Sequence, residues 1–93
     1  MRTYPLAIGE ILDYGRKWGK WLGTDVITTS TWMVDAGLPV VSQSHDDTDT
    51  ALFVNGTGLT VGAKYKCKNV ITTVGNRTAS RVFAIQIVAE KYE

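Results

Sequence analysis

The chain has 93 residues, ten basic and nine acidic, so its formal net charge is only +1. A charge this small gives no electrostatic footprint for nucleic acid or an anionic membrane, and we expect neither as a partner. A single domain of this size buries only about 60–65 % of its unfolded surface, so its stability is modest unless a partner adds to it.

The composition favours a β protein. Twelve Thr, ten Val and six Ile suit a pleated sheet, and nine Gly interrupt the chain at short intervals. Cys67 is the single cysteine, which excludes an intrachain disulfide and predicts a small buried hydrophobe. The first residues lack an apolar run of signal-peptide length, so we expect synthesis in a cytoplasm.

Residues 1–10 form the first predicted segment, an N-terminal arm or edge segment ahead of a domain over residues 11–93. Tyr4, Leu6 and Ile8 alternate around Pro5, which is typical of extended chain. The segment covers an edge of its own domain, reaches a neighbouring subunit or is disordered. If it reaches a neighbour, these three apolar side chains are the contacts.

Residues 11–17 are predicted to form a strand, because Gly15 and Gly19 would weaken a helix here. A tight turn or single helical turn follows and brings Trp18 and Trp21 together. The tryptophan pair has three interpretations: packing in the core or at an edge, a protein interface, or a flat platform for a sugar.

The middle of the chain predicts two more strands and a polar loop. Residues 25–34 alternate, with Trp32 as the central core residue and Ile27 on the opposite face. Residues 38–43 form a short strand with Pro39 at its start or at an edge. The loop over residues 44–49 carries one His and three Asp but lacks the spacing of a metal or catalytic motif. We predict no metal, no cofactor and no catalytic residue.

A strand over residues 50–55 precedes the strongest pattern, a β-hairpin over residues 62–87. Its turn is predicted at residues 74–77. In its first strand the outward row is Lys64, Lys66 and Lys68, and the inward row is Tyr65, Cys67, Asn69 and Ile71. In its second strand Phe83, Ile85 and Ile87 alternate.

About seven strands with turn signals every eight to twelve residues predict an immunoglobulin-like antiparallel β-sandwich. Tyr65, just after Gly62, is predicted to donate its hydroxyl to the corner backbone. Asn69 is interpreted as an anchor for loop backbone near one end of the sandwich, with a ligand role as the alternative. The predicted core residues are Trp32, Tyr65, Cys67, Ile71, Phe83 and Ile85.

Several sequence blocks occur in an order and spacing that resemble a family of small immunoglobulin-like virion proteins of tailed bacteriophages, the fibre-tail adaptor type. The blocks are Leu12-Asp13-Tyr14, Trp18, Trp21-Leu22-Gly23, Asp25 with Ile27, Ser30-Thr31-Trp32, Gly37-Leu38, Tyr65-x-Cys67-x-Asn69-x-Ile71-Thr72-Thr73, Gly75 and Arg77-Thr78. The sequence departs from the family pattern at Cys67, where an aliphatic residue is usual, and at Arg16, Lys17 and Lys20, where the family is more acidic.

The resemblance implies a non-enzymatic virion structural protein, synthesised in the host cytoplasm. It would act as an adaptor or cement at the tail, neck or capsid surface, in many copies within a symmetric assembly of other virion proteins. Besides the N-terminal arm, the candidate partner contacts are Trp18, Trp21, Lys64, Lys66 and Lys68. The alternative is an immunoglobulin-like module that recognises cell-surface glycan through the two tryptophans.

Overall fold

The computed structural model describes residues 1–90 and contains two β-sheets and one short helix. It confirms the predicted immunoglobulin-like sandwich of seven strands. The elements are β1 (Thr3–Ala7), β2 (Ile11–Lys17), α1 (Gly19–Leu22), β3 (Ile27–Val34), β4 (Val40–His45), β5 (Asp49–Asn55), β6 (Lys64–Thr73) and β7 (Thr78–Val88).

The strand order is β1-β7-β6-β3 in the four-stranded sheet and β2-β5-β4 in the three-stranded sheet. All neighbouring strands are antiparallel except β1, which runs parallel to β7. On one side of the sandwich, the Tyr14 hydroxyl of β2 donates to the Pro5 carbonyl of β1 at 2.7 Å. On the other side, the backbone N–H of Trp32 in β3 donates to Gln43 Oε1 of β4 at 3.1 Å. These contacts join the edges of the two sheets.

The predicted C-terminal hairpin is confirmed, with β6 and β7 paired in unbroken register from Lys64 opposite Gln86 to Thr72 opposite Thr78. Its turn contains Asn76 at φ 61°, a conformation that Asn tolerates better than most residues. Ten residues of alternating burial on β6 match the period-two pattern of the sequence.

The N-terminal segment pairs with its own domain. Thr3–Ala7 lies beside residues 84–88 of β7, and Leu6 is fully buried in the core. Tyr4 is about one-third exposed and packs edge-on against Phe83, with ring centroids 5.3 Å apart. Ile8 is half-buried against the same core. Burial therefore removes Leu6 from the surface that a partner reaches.

The core divides into two clusters. The larger contains Trp32 and lies between the sheets; its buried members are Leu6, Trp32, Leu38, Leu52, Val54, Cys67, Phe83, Ile85 and Ile87. The smaller contains Trp18 and lies beneath α1; its buried members are Trp18, Leu22, Ile27 and Ile71. Asn69 connects the two, since it pairs with Trp32 across β3 and β6 and accepts a hydrogen bond from Trp18.

Two local expectations are wrong. Ile27 is buried like Trp32, because a β-bulge between Ile27 and Thr29 shifts the register and returns Ile27 to the inner face. Within residues 1–90 the Tyr65 hydroxyl makes no hydrogen bond to the corner at Gly62; the Gly62 N–H is a donor, and it donates to Ile87 O at 2.8 Å. The half-buried Tyr65 ring instead lies against the turn at Gly37.

Candidate functional site

The outward face of the four-stranded sheet carries the three predicted lysines in one row. Lys64, Lys66 and Lys68 are all exposed, because alternate residues of β6 point away from the core. Lys68 pairs with Met33 on β3 and with Val82 on β7, and these two apolar side chains are 50 % and 44 % exposed. We call these five residues the lysine face.

The charge of the lysine face is not neutralised by any carboxylate among residues 1–90. Among residues 1–90, the only ion pair joins Arg77 to Asp25, so no lysine of the face has a carboxylate within 4.0 Å. The neighbouring Asp35 carboxylate accepts the backbone N–H of Lys66 at 2.8 Å. The face is therefore a central row of lysines on β6 with one exposed apolar side chain on each side of Lys68.

The tryptophan pair packs edge-on, with ring centroids 5.5 Å apart. Trp18 is only 1 % exposed and therefore cannot contact a partner in this fold. Trp21 is half-buried, and the Arg77 guanidinium lies 4.3 Å from the centroid of its ring. The pair does not present two open aromatic faces, so the geometry does not favour the glycan platform.

Arg77 links α1 to the turn of the β6–β7 hairpin through hydrogen bonds. Its guanidinium donates to the Asp25 carboxylate at 3.1 Å and to the Leu22 carbonyl at 2.8 Å. Asp25 also accepts the Gly75 N–H at 3.0 Å. A hydrogen bond from the Thr73 side chain, followed by those from the Gly75 backbone and Arg77, lowers the pKa of Asp25 to about 2. These contacts join α1 to the hairpin turn at one end of the sandwich, and we call the cluster of Asp25, Gly75 and Arg77 the Asp25–Arg77 latch.

The polar loop after β4 is a capped turn. The Asp46 carboxylate accepts the N–H groups of Thr48 at 2.9 Å and Asp49 at 2.8 Å, and these bonds lower the pKa of Asp46. Within residues 1–90, no three His, Cys, Asp or Glu side chains lie together as a group that would hold a metal ion.

The predicted core residues all belong to one of the two core clusters or pack against it. Trp32, Cys67, Ile71, Phe83 and Ile85 are buried, and Tyr65 is half-buried. Burial raises the pKa of the Cys67 thiol to about 11, which makes the thiolate scarce and the side chain unreactive at neutral pH.

Asn69 has a different role from the predicted one. It is 1 % exposed and lies in the interior, not near the loops. Its Oδ1 accepts from Trp18 Nε1 at 3.0 Å and from Thr50 Oγ1 at 2.8 Å, and its Nδ2 donates to Ser30 Oγ at 3.0 Å and to the Thr31 carbonyl at 3.3 Å. The signal in the sequence was an amide at an inward position of a strongly alternating strand.

Comparison with known proteins gives a family match over most of the chain. The family model described as podophage GP4 fiber-tail adaptor protein gp77 matches residues 7–86, which is most of the chain. None of the curated protein sequences matches significantly. No helix within residues 1–90 is long and apolar enough to cross a membrane.

Among solved structures, the tandem Ig domains of titin superpose with a TM-score of 0.64 at 18 % sequence identity. The alignment covers 97 % of this chain but only 45 % of the titin chain, so this chain spans less than half the length of that structure. At this identity the likeness establishes the immunoglobulin-like fold alone.

Proposed function

The chain belongs to the podophage fiber-tail adaptor family gp77, and we propose that it is a non-enzymatic structural protein of the virion, located where fibres join the tail. The family match over residues 7–86 carries this proposal. The role of a virion structural adaptor follows from the family. The location at the tail, rather than at the neck or the capsid surface, is our proposal.

The location is tested on virions of the phage that encodes the chain. Mass spectrometry of purified particles should find the chain in many copies. After the particles are dissociated, it should fractionate with tail and fibre proteins and not with empty capsids. A chain absent from virions would contradict the virion role. A chain recovered only with capsids would contradict the tail location.

We further propose that the lysine face is one of the surfaces through which the adaptor binds a neighbour with an acidic surface. The supporting observations are the ammonium groups of Lys64, Lys66 and Lys68, which have no carboxylate partner within residues 1–90, and the two exposed apolar side chains that flank Lys68. Charge of this kind steers association and selects partners, while burial of the two flanking apolar side chains against a partner supplies affinity.

Charge reversal tests this surface. Lys66→Glu/Lys68→Glu should lower incorporation into particles without unfolding the monomer, because both side chains are exposed. The matched control is Lys17→Glu/Lys20→Glu, which changes the net charge equally at exposed positions elsewhere. Incorporation is measured by quantitative mass spectrometry, and the fold of each variant by circular dichroism. Equal incorporation of the two variants would show that the lysines contribute to solubility and not to partner binding.

A further inference from the structure

A cavity of about 210 Å³ opens between the two sheets on the β1–β2 side of the sandwich. Its opening exists because β1 is short: β1 pairs with β7 only from Ala84 onward, and β2 has a neighbour only at β5. Three arginines and three aromatic residues are among its lining residues: Arg2, Arg16, Arg81, Tyr4, Trp32 and Phe83. We call this cavity the arginine pocket.

Two of the three arginines, Arg16 and Arg81, occupy inward positions of their strands and remain exposed at the open side of the sandwich. Arg81 pairs with buried Asn69, and Arg16 pairs with buried Thr50, so both side chains start on the inner faces of the sheets. Their guanidinium carbons lie 5.0 Å and 5.7 Å from the Trp18 ring centroid, an arrangement that holds them by cation–π attraction.

No anion in the described part of the chain balances these charges. Among residues 1–90, Arg2, Arg16 and Arg81 have no carboxylate within 4.0 Å. Arg81 uses one nitrogen to donate to the Ser80 carbonyl at 2.7 Å. Since each guanidinium carries five N–H donors, the pocket retains many unused donors.

Trp32 supplies an independent observation. Its side chain is 95 % buried, since its relative exposure is 5 %, and it lines the pocket. Its indole Nε1 is the buried side-chain polar atom that has no hydrogen-bond partner within residues 1–90. The other buried indole, Trp18, is satisfied by Asn69. Because Trp32 Nε1 has no hydrogen-bond partner within residues 1–90, the indole N–H resonance is free to respond to a charge placed in the pocket.

We propose that the arginine pocket binds a carboxylate from an acidic side chain of a protein partner. Guanidinium groups bind carboxylates through paired, charge-assisted hydrogen bonds. The Trp32 indole lies in the pocket wall beside them and reports the bound group. Tyr4 and Phe83 would contact the methylene groups of the inserted side chain. The choice of a protein partner rests on the proposed adaptor function. The volume of about 210 Å³ suits one inserted side chain.

The probe is a capped pentapeptide with a central Glu in a β-forming context, and the matched probe carries Gln instead. Indole N–H resonances are followed by two-dimensional NMR on ¹⁵N-labelled protein. The Glu peptide should shift the Trp32 indole resonance, with a dissociation constant of about 1 mM because one side chain makes few contacts. The Trp18 indole resonance, already hydrogen-bonded, should move much less and reports that the fold is intact.

The variant Arg16→Gln/Arg81→Gln should weaken binding of the Glu peptide at least about tenfold, because hydrogen bonds to charged groups are lost. Lys17→Gln/Lys20→Gln removes the same charge outside the pocket and should change binding less than about twofold. Equal weakening by both variants would overturn the proposal in favour of non-specific attraction.

Two further outcomes overturn the proposal. If neither peptide moves the Trp32 resonance, or if both move it equally, the pocket does not recognise carboxylate. The arginines would then serve only as inward-pointing charges that prevent strands of other chains from pairing with the open sheet edges. If inorganic phosphate moves the resonance and the Glu peptide does not, the ligand is a phosphate. These results leave the virion role untouched, because mass spectrometry of particles tests that role separately.

Discussion

At the scale of single residues, Asn69 is the polar side chain on which both core clusters depend. It fills four hydrogen-bonding roles in the interior, two as acceptor and two as donor. A buried amide is favourable only when its partners are all present, because each unpaired group retains its desolvation cost. Asn69 therefore fixes the position of Trp18 relative to the sheets.

Asn69→Ala should lower the free energy of unfolding by about 3 kcal/mol, because it leaves Trp18 Nε1 and Thr50 Oγ1 without their acceptor and opens a cavity. Asn55→Ala is the control: Asn55 accepts one exposed backbone N–H, from Thr57, and its loss should cost about 0.5–1 kcal/mol. Urea unfolding followed by circular dichroism measures both. A similar cost for the two variants would show that the interior network contributes little.

Asp25 makes stability depend on pH. Its pKa is about 2 in the folded chain and 3.8 ordinarily, so the unfolded chain binds more protons between these values. The contribution of the ionised Asp25 carboxylate to the free energy of unfolding is complete above about pH 4 and is lost as the pH falls through about 2. The difference in unfolding free energy between the wild type and Asp25→Asn should therefore shrink across this range. Asp13→Asn, at an exposed position of β2, is the control. A difference that stays constant with pH would contradict the latch.

At the scale of elements, local alternation predicts the β6–β7 hairpin correctly because its register depends on residues close in sequence. The same reasoning fails at Ile27, where a bulge changes the face without any change in residue type. It also leaves Leu6 unresolved. Whether an apolar segment packs on its own domain or on a neighbour depends on long-range pairing, here the parallel pairing of β1 with β7.

Leu6→Ala tests the placement of β1 on its own domain. Leu6 is fully buried, so the substitution should destabilise the isolated monomer by about 2–4 kcal/mol through a core cavity. Val41→Ala, at a side chain 56 % exposed on β4, should cost less than about 0.5 kcal/mol. Urea unfolding of the purified monomer compares the two. If Leu6→Ala left the monomer unaffected and reduced only particle incorporation, β1 would belong to an intersubunit arm.

At the scale of the whole molecule, cooperativity depends on the connection between the two core clusters. The described chain has no disulfide, since Cys67 is a free, buried thiol, and the smaller cluster has only four buried members. That cluster is too small to be stable alone, because its buried apolar area is a small fraction of what a domain needs. It is held by the Asp25–Arg77 latch at one end and by the Asn69–Trp18 bond in the interior.

We expect both clusters to unfold in one transition. Fluorescence of a Trp32→Phe variant reports mainly on Trp18 and Trp21 in the smaller cluster, whereas far-ultraviolet circular dichroism reports on both sheets. The two signals should give coincident urea curves in this variant. Adding Asn69→Ala removes the interior connection and should move the fluorescence midpoint below that of circular dichroism. Coincident curves in the double variant would show that the latch alone suffices, and separate curves in Trp32→Phe itself would contradict a single cooperative unit.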